Sequence, residues 1–127
     1  MTQTLSSDEV NITVEDQLQI NQFARHNQNL QELEAAIKAK NEEVQKLQDA
    51  ADELMLGEDE DQIPYKMGDV FIDLPSDEIQ GRLDADKEEL ERQISEYKDQ
   101  IAQLKARMTE LKTTLYGKFG SNINLEA

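Results

Sequence analysis

The sequence predicts a mainly α protein, an antiparallel two-helix coiled coil with a central β-hairpin that joins a β-barrel shared between subunits. Residues 14–56 and 77–116 repeat apolar side chains every seven residues, the period of a coiled-coil seam. A short apolar run at residues 63–74 separates these two stretches. Hydrophobic residues make up 37% of the chain, aromatic residues 5% and charged residues 32%, which is typical of long solvated helices.

The first helix is expected over residues 14–56. Thr13 is its predicted N-cap, and Asp16 lies three residues later, close to a capping box, where a carboxylate meets the positive end of the helix dipole. Two d positions of the heptads are polar, His26 and Lys40, which predicts a role in register and partner choice. A lone seam histidine is interpreted as structural. The apolar seam positions are Phe23, Leu30, Ile37, Val44 and Ala51 at a, with Leu33, Leu47 and Leu54 at d.

Gly57 is expected to end this helix, and residues 58–61 follow as an acidic run. The run is interpreted as a solvated loop. A divalent cation site would need ligands at defined spacing around a turning glycine, and the run lacks the alternating ligands and distant glutamate of an EF-hand. The sequence therefore predicts no metal and no other cofactor.

Residues 63–74 are predicted to form a two-stranded hairpin around a turn at residues 68–69. The expected register places Met67 opposite Val70, Tyr65 opposite Ile72, and Ile63 opposite Leu74, so six apolar side chains share one face. An isolated ribbon with such a face and two free edges is at best marginal in water.

We therefore expect the ribbon to close a barrel with hairpins of other subunits. The alternative is a ribbon folded against its own helices. The predicted oligomerisation residues are Ile63, Tyr65, Met67, Val70, Phe71, Ile72 and Leu74.

The second helix is expected over residues 77–116, beginning after Pro75 and Ser76. Gly117 and Gly120 are expected to end it, which leaves residues 1–12 and 117–127 as flexible termini of a single domain, 1–127. Each helix would be roughly 60 Å long, and their short connector favours antiparallel packing into a rod with both termini at one end. The seam residues are Leu83, Leu90, Tyr97, Leu104 and Leu111, interleaved with Ile94, Ile101, Met108 and Leu115.

Charge and composition exclude several classes of partner. The net charge of −15, from 28 acidic and 13 basic residues, would repel nucleic acid and anionic membrane surfaces. The charge is uneven, since residues 49–61 hold seven acids and no base, whereas residues 98–118 hold five bases and two acids. The chain has no cysteine and no apolar leader at residues 1–9, which favours a soluble protein of a reducing compartment.

An enzyme is disfavoured by the inventory of reactive groups. The chain has no cysteine, one histidine and no phosphate-binding glycine loop. Paired carboxylates are plentiful because the surface is acidic, and a helical hairpin is expected to offer no concave pocket for them.

Three separated strings of the sequence resemble the prefoldin family, and within it the β-type subunits. The first string is Val10-Asn11-Ile12-Thr13 with Glu15-Asp16-Gln17, Ile20-Asn21 and Phe23-Ala24-Arg25. The middle one is Ile63-Pro64-Tyr65 with Gly68-Asp69-Val70-Phe71-Ile72. The last one is Leu115-Tyr116 with Lys118 through Glu126, where Gly117 departs from the alanine expected of the family.

The resemblance implies a cytoplasmic heterohexamer of two α-type and several β-type subunits, in which hairpins form a barrel and coiled coils hang from it. It implies an ATP-independent holdase that captures unfolded actin and tubulin and delivers them to the cytosolic chaperonin.

The end of the rod opposite the hairpin is the predicted client-binding tip, because its apolar side chains have no obvious partner within the chain. The alternative for these residues is a frayed, capped terminus. The alternative function is a structural coiled-coil adaptor that tethers folded proteins. The predicted tip residues are Val10, Ile12, Leu115, Tyr116, Phe119, Ile123 and Leu125.

Overall fold

The computed structural model describes residues 4–5, 12–56, 63–67 and 70–125. Strand β1 spans Thr4–Leu5 and is followed by helix α1 at Val14–Leu56. Strands β2 and β3 span Ile63–Met67 and Val70–Leu74, and helix α2 spans Ser76–Phe119. A 3₁₀ turn at Gly120–Asn122 leads to strand β4 at Ile123–Asn124. The structure is thus mainly helical, with two long helices that pack together. The acidic run at residues 58–61 lies outside the described residues.

Helix α1 begins with a reciprocal capping box. The backbone N–H of Asp16 donates to the Thr13 hydroxyl at 3.0 Å, and the Thr13 N–H donates to the Asp16 carboxylate, also at 3.0 Å. Two of the otherwise unpaired donors at the helix N-terminus are satisfied in this way. Aspartate therefore plays the part that glutamate or glutamine usually plays at this position.

Helix α2 is three residues longer at its C-terminus than predicted, because it continues through Gly117 to Phe119. The predicted end at Tyr116 is wrong. Leu115 and Phe119 lie one turn apart and both are buried, so packing outweighs the roughly 1 kcal/mol that glycine costs in a helix. Gly120, whose φ is 57°, ends the helix instead, in the left-handed conformation that glycine adopts readily.

Two pairs of short strands accompany the helices. Strands β2 and β3 are antiparallel, with Met67 opposite Val70, Tyr65 opposite Ile72 and Ile63 opposite Leu74. The turn expected at residues 68–69 lies outside the described part of the chain. Strands β1 and β4 are also antiparallel, with Thr4 opposite Asn124 and Leu5 opposite Ile123. Residues 117–124, predicted as part of a flexible terminus, therefore form regular structure.

The chain divides into two compact units. The first unit comprises Met1–Ala36 and Tyr97–Ala127, and the second comprises Ile37–Glu96. Each unit takes a segment of α1 and a segment of α2, and each has its own buried apolar cluster. Within the described residues, neither helix is long and apolar enough to cross a membrane.

Candidate functional site

The first unit has an apolar cluster, here called the first cluster, built from both helices and the chain that follows α2. Its members include Phe23 of α1 and Leu115 of α2, both fully buried. The other buried members are Ile20, Leu30, Met108, Leu111, Phe119, Ile123 and Leu125, with Ile101 and Leu104 packed against them. The heptad pattern predicted most of these residues on the seam, and Phe119, Ile123 and Leu125, beyond Gly117, also belong to the cluster.

The structure corrects the prediction that the tip residues lack partners within the chain. Leu115, Phe119, Ile123 and Leu125 are at most 6% exposed and belong to the first cluster. Leu115 and Phe119 pack into the cluster from the last turns of α2. The turn at Gly120 folds the chain back, pairs β4 with β1, and brings Ile123 and Leu125 into the same cluster. A client-binding surface on the folded chain would therefore not include these four side chains.

Two polar contacts hold this end of the first unit together. The Tyr116 hydroxyl accepts a hydrogen bond from the Leu125 N–H at 3.2 Å and lies 3.4 Å from the Leu125 carbonyl oxygen. The Lys118 ammonium donates to the Asp16 carboxylate at 2.6 Å. The Asp16 side chain is only 4% exposed, whereas that of Lys118 is 48% exposed. The start of α1 is thus fastened to the end of α2.

The pKa of Asp16 is held below its usual value. The largest cause is the hydrogen bond from Lys118, followed by that from the Thr13 backbone, and burial of the carboxyl opposes both. Asp16 therefore stays ionised while it caps α1 and pairs with Lys118. Sequence reasoning identified its capping position but missed this pairing.

An exposed apolar set lies at the start of α1 and near the end of α2. Ile12 is 42% exposed, Val14 79%, Leu18 62% and Tyr116 39%. Two of these, Ile12 and Tyr116, were among the predicted tip residues, and the heptad analysis did not single out Val14 or Leu18 as exposed. Val10, another predicted tip residue, lies outside the described residues.

The second unit has a smaller cluster. Ala51, Ile79 and Leu83 are buried, and Leu47, Leu54 and Leu74 pack against them. Leu74, a predicted oligomerisation residue, thus contacts the helices of its own chain. The other predicted oligomerisation residues, Ile63, Tyr65, Met67, Val70, Phe71 and Ile72, lie on β2 and β3, where only the backbone is described. Met55 and Leu56, at the end of α1, are 76% and 87% exposed.

Polar residues interrupt the seam in both units. Neither ring nitrogen of the half-buried His26 has a hydrogen-bond partner within the described chain. In the second unit, the Lys40 ammonium donates to Gln93 at 2.6 Å, and that of Lys87 donates to Gln48 at 2.7 Å. These two contacts join the helices, and the role of Lys40 in register and partner choice stays a prediction. Asn27, only 1% exposed, was missed because a single amide at a helix edge gives no periodic signal.

The first unit contains a groove that the sequence analysis did not expect. Its volume is about 580 Å³, and its lining includes Leu33, Ala36, Tyr97 and Leu104, with Glu32 and Arg107 also present. The expectation that a helical hairpin offers no concave pocket is therefore wrong. The groove has no histidine or hydroxyl nucleophile other than the Tyr97 phenol. Across the described residues, no three His, Cys, Asp or Glu side chains are placed to hold a metal ion.

Two long helices that pack together, with short strands between them in the chain, place the protein in the class of coiled-coil proteins. Comparison with known proteins identifies the family. The profile described as "Prefoldin subunit" matches residues 17–122. The chain belongs to the prefoldin subunit family, and is accordingly a chaperone subunit whose partners include other prefoldin subunits.

Similar proteins extend over nearly the whole chain. Prefoldin subunit 4 of Homo sapiens is 42% identical over 96% of this chain and 92% of its own length. Prefoldin subunit 4 of Saccharomyces cerevisiae is 33% identical, covering 91% of this chain and 89% of its own. The crystal structure of the prefoldin beta subunit from Thermococcus strain KS-1 matches with a TM-score of 0.78 at 20% identity, covering 87% of this chain and 96% of that one. This last similarity concerns the fold.

Proposed function

We propose that the chain is a subunit of a hetero-oligomeric, ATP-independent holdase. In this proposal the complex binds unfolded polypeptides such as actin and tubulin in the cytoplasm and delivers them to the cytosolic chaperonin, without catalysis. The observation that carries the proposal is the match to the prefoldin subunit family over residues 17–122. The exposed apolar set of the first unit supports it, because weak binding of non-native chains needs accessible apolar surface.

Assembly is assigned in this proposal to residues 63–74. Strands β2 and β3 form a two-stranded sheet in the described chain, and such a ribbon has edges that another subunit can pair with. A barrel formed with hairpins of two α-type and other β-type subunits would remove those edges. Leu74 already packs against the smaller cluster of the second unit, formed by Ala51, Ile79 and Leu83, so we assign the intersubunit contacts to the strand residues before it.

Client contact is assigned to the exposed apolar set rather than to the first cluster. Val14 and Leu18 are more than half exposed and lie one helical turn apart, so they present a continuous apolar strip. The four buried residues Leu115, Phe119, Ile123 and Leu125 would act indirectly, by holding the ends of α1 and α2 together. This division separates residues whose loss lowers client binding from residues whose loss lowers stability.

The assembly assignment is tested by native mass spectrometry of the chain, alone and mixed with the other subunits of its complex. We expect Val70→Asp and Ile72→Asp to abolish a discrete hetero-oligomer that the wild-type chain forms. Ala85→Asp is the matched control, because it adds the same charge at an exposed position of α2. Variants at 70 and 72 that assemble like wild type would refute the assignment, as would a wild-type chain that stays monomeric in every mixture.

The client assignment is tested in the assembled complex with the double variant Val14→Ser and Leu18→Ser. We expect it to suppress the aggregation of a denatured client less well than wild type. The control is Met55→Ser with Leu56→Ser, a pair at least as exposed but in the second unit. Wild-type protection by Val14→Ser with Leu18→Ser would refute the assignment, and so would equal loss in both double variants, because the effect would then not be specific to the exposed apolar set.

A further inference from the structure

Three lysines form a regular row on the part of α2 that belongs to the first unit. Lys98, Lys105 and Lys112 are seven residues apart, so successive members are separated by about 10.5 Å along one side of the helix. With Tyr97 and Leu104 at d positions, all three lysines fall at e positions, which flank the seam and commonly form ion pairs between helices. Lys98 and Lys105 are exposed and Lys112 is half-buried. We call this row the lysine ridge.

The lysine ridge has no carboxylate partner in the described chain. Other cations of α2 are paired, since Arg107 lies 3.7 Å from Glu110 and Lys118 lies 2.6 Å from Asp16. No ion pair involves a ridge lysine within 4.0 Å, although the Lys112 ammonium stands 5.9 Å from the centre of the Phe23 ring. At 100° per residue, Asp99 lies about a quarter turn from Lys98, and Glu110 lies nearly opposite Lys112.

Helix α1 offers little negative charge to the lysine ridge. The groove with Leu33, Ala36 and Arg107 occupies one edge of the helix interface. By helical periodicity, the ridge lies on the other edge, which α1 lines with its e positions Ile20, Asn27 and Glu34. The one acid at an α1 e position in this unit, Glu34, is exposed and forms no ion pair with the ridge in the described structure.

The positive charge of the ridge contrasts with the negative charge of the whole chain. With a net charge of −15, the chain repels anions at long range, but that field is screened beyond about 8 Å at physiological ionic strength. Attraction at the ridge is therefore short-ranged and depends on a partner whose acids match its spacing. Ala102 and Thr109 lie between the lysines and are exposed, so small side chains leave room for a second helix to approach.

We propose that the lysine ridge binds an acidic α-helix of a partner protein that carries carboxylates at seven-residue intervals. Three lysines at the same heptad position would face three carboxylates with the same spacing along the helix axis. Binding therefore depends on the spacing of the carboxylates as well as on their charge. An exposed ion pair contributes little alone, and the three pairs act together. This inference does not rest on client binding, because the ridge shares no residue with the exposed apolar set.

The test uses the assembled complex and a fluorescent helical peptide with three glutamates at seven-residue spacing in an alanine and glutamine background. Binding is followed by fluorescence anisotropy at about 50 mM and about 300 mM salt. We expect the triple variant Lys98→Gln, Lys105→Gln, Lys112→Gln to weaken binding about tenfold or more, and the corresponding triple arginine variant to retain it. High salt should weaken wild-type binding.

The matched control removes three cations from exposed positions of α1, by Arg25→Gln, Lys38→Gln and Lys46→Gln. It should change the affinity for the peptide by less than about twofold. The proposal is overturned if the ridge and control variants lose affinity equally, or if a peptide with the same glutamates at scrambled spacing binds as tightly. Stronger binding of an oligonucleotide of equal charge would overturn it too, since a general polyanion site needs no carboxylate spacing.

Discussion

Replacing Leu115 with alanine removes a side chain that has no exposed surface in the first unit. Leucine to alanine changes at fully buried sites cost about 3 to 5 kcal/mol, according to how far the neighbours relax into the cavity. Here the chain after Gly120 supplies Ile123 and Leu125 to the same cluster, and a short terminal segment can shift more easily than a helix. We therefore expect a loss near the lower limit, about 3 kcal/mol.

Urea unfolding followed by circular dichroism measures this loss. With a slope of about 2 kcal/mol per molar urea for a chain of this size, the midpoint should fall by about 1.5 M. Hydrogen exchange should show the loss of protection mainly in the first unit, because Leu115 belongs to that unit. Leu18→Ala is the matched control: Leu18 is 62% exposed, so its truncation should change stability by less than about 0.5 kcal/mol.

The two leucines should behave in opposite ways in a client-binding assay. At a temperature where both variants are folded, Leu18→Ala should reduce capture of a denatured client, and Leu115→Ala should leave it close to wild type. The reasoning is refuted if Leu115→Ala keeps the wild-type midpoint and loses client capture. That result would place Leu115 on the contact surface, as the sequence alone suggested.

Three further predictions concern charged and polar groups. Lys118→Met should raise the pKa of Asp16, as measured by NMR titration. Because the pKa of Asp16 is lowered in the folded chain, the pair stabilises the fold at pH values above the usual carboxyl pKa. This stabilisation disappears as the pH falls through the lowered pKa. On α2, the Arg92 guanidinium donates to both carboxylate oxygens of the exposed Glu89. The pKa of Glu89 should be about 2, mainly because of this hydrogen bonding, and Arg92→Gln should move it up toward its usual 4.5. An unchanged titration in either variant would contradict the assigned cause. His26→Leu should raise the urea midpoint, because it removes two ring nitrogens without partners, and a lowered midpoint would show that the imidazole stabilises the unit.

Much of the fold could be predicted because its signals are local. The seven-residue repeat identified both helices, and Thr13 with Asp16 marked the start of α1, where the capping hydrogen bonds are found. The alternation of apolar residues on either side of Gly68 indicated the strand pairs that β2 and β3 form. Each of these signals depends on residues close together in the chain.

The end of the first unit could not be predicted in the same way. The low helix propensity of Gly117 predicted a helix end there. The packing of Leu115 and Phe119 instead extends α2 past Gly117. Phe119 continues the four-residue spacing from Leu115, a signal that the glycine obscured. The pairing of Asp16 with Lys118 joins residues 102 positions apart, and no local pattern reports such a contact. The tip residues were therefore predicted as exposed when four of them are buried.

The most direct test of the proposed holdase function is the aggregation of denatured clients in the presence of the assembled complex. Light scattering would follow several unrelated clients, including actin, in the absence of any nucleotide. The account predicts that the complex containing this chain slows aggregation of all of them in proportion to its concentration. A complex that assembles fully and leaves every aggregation curve unchanged would contradict the account.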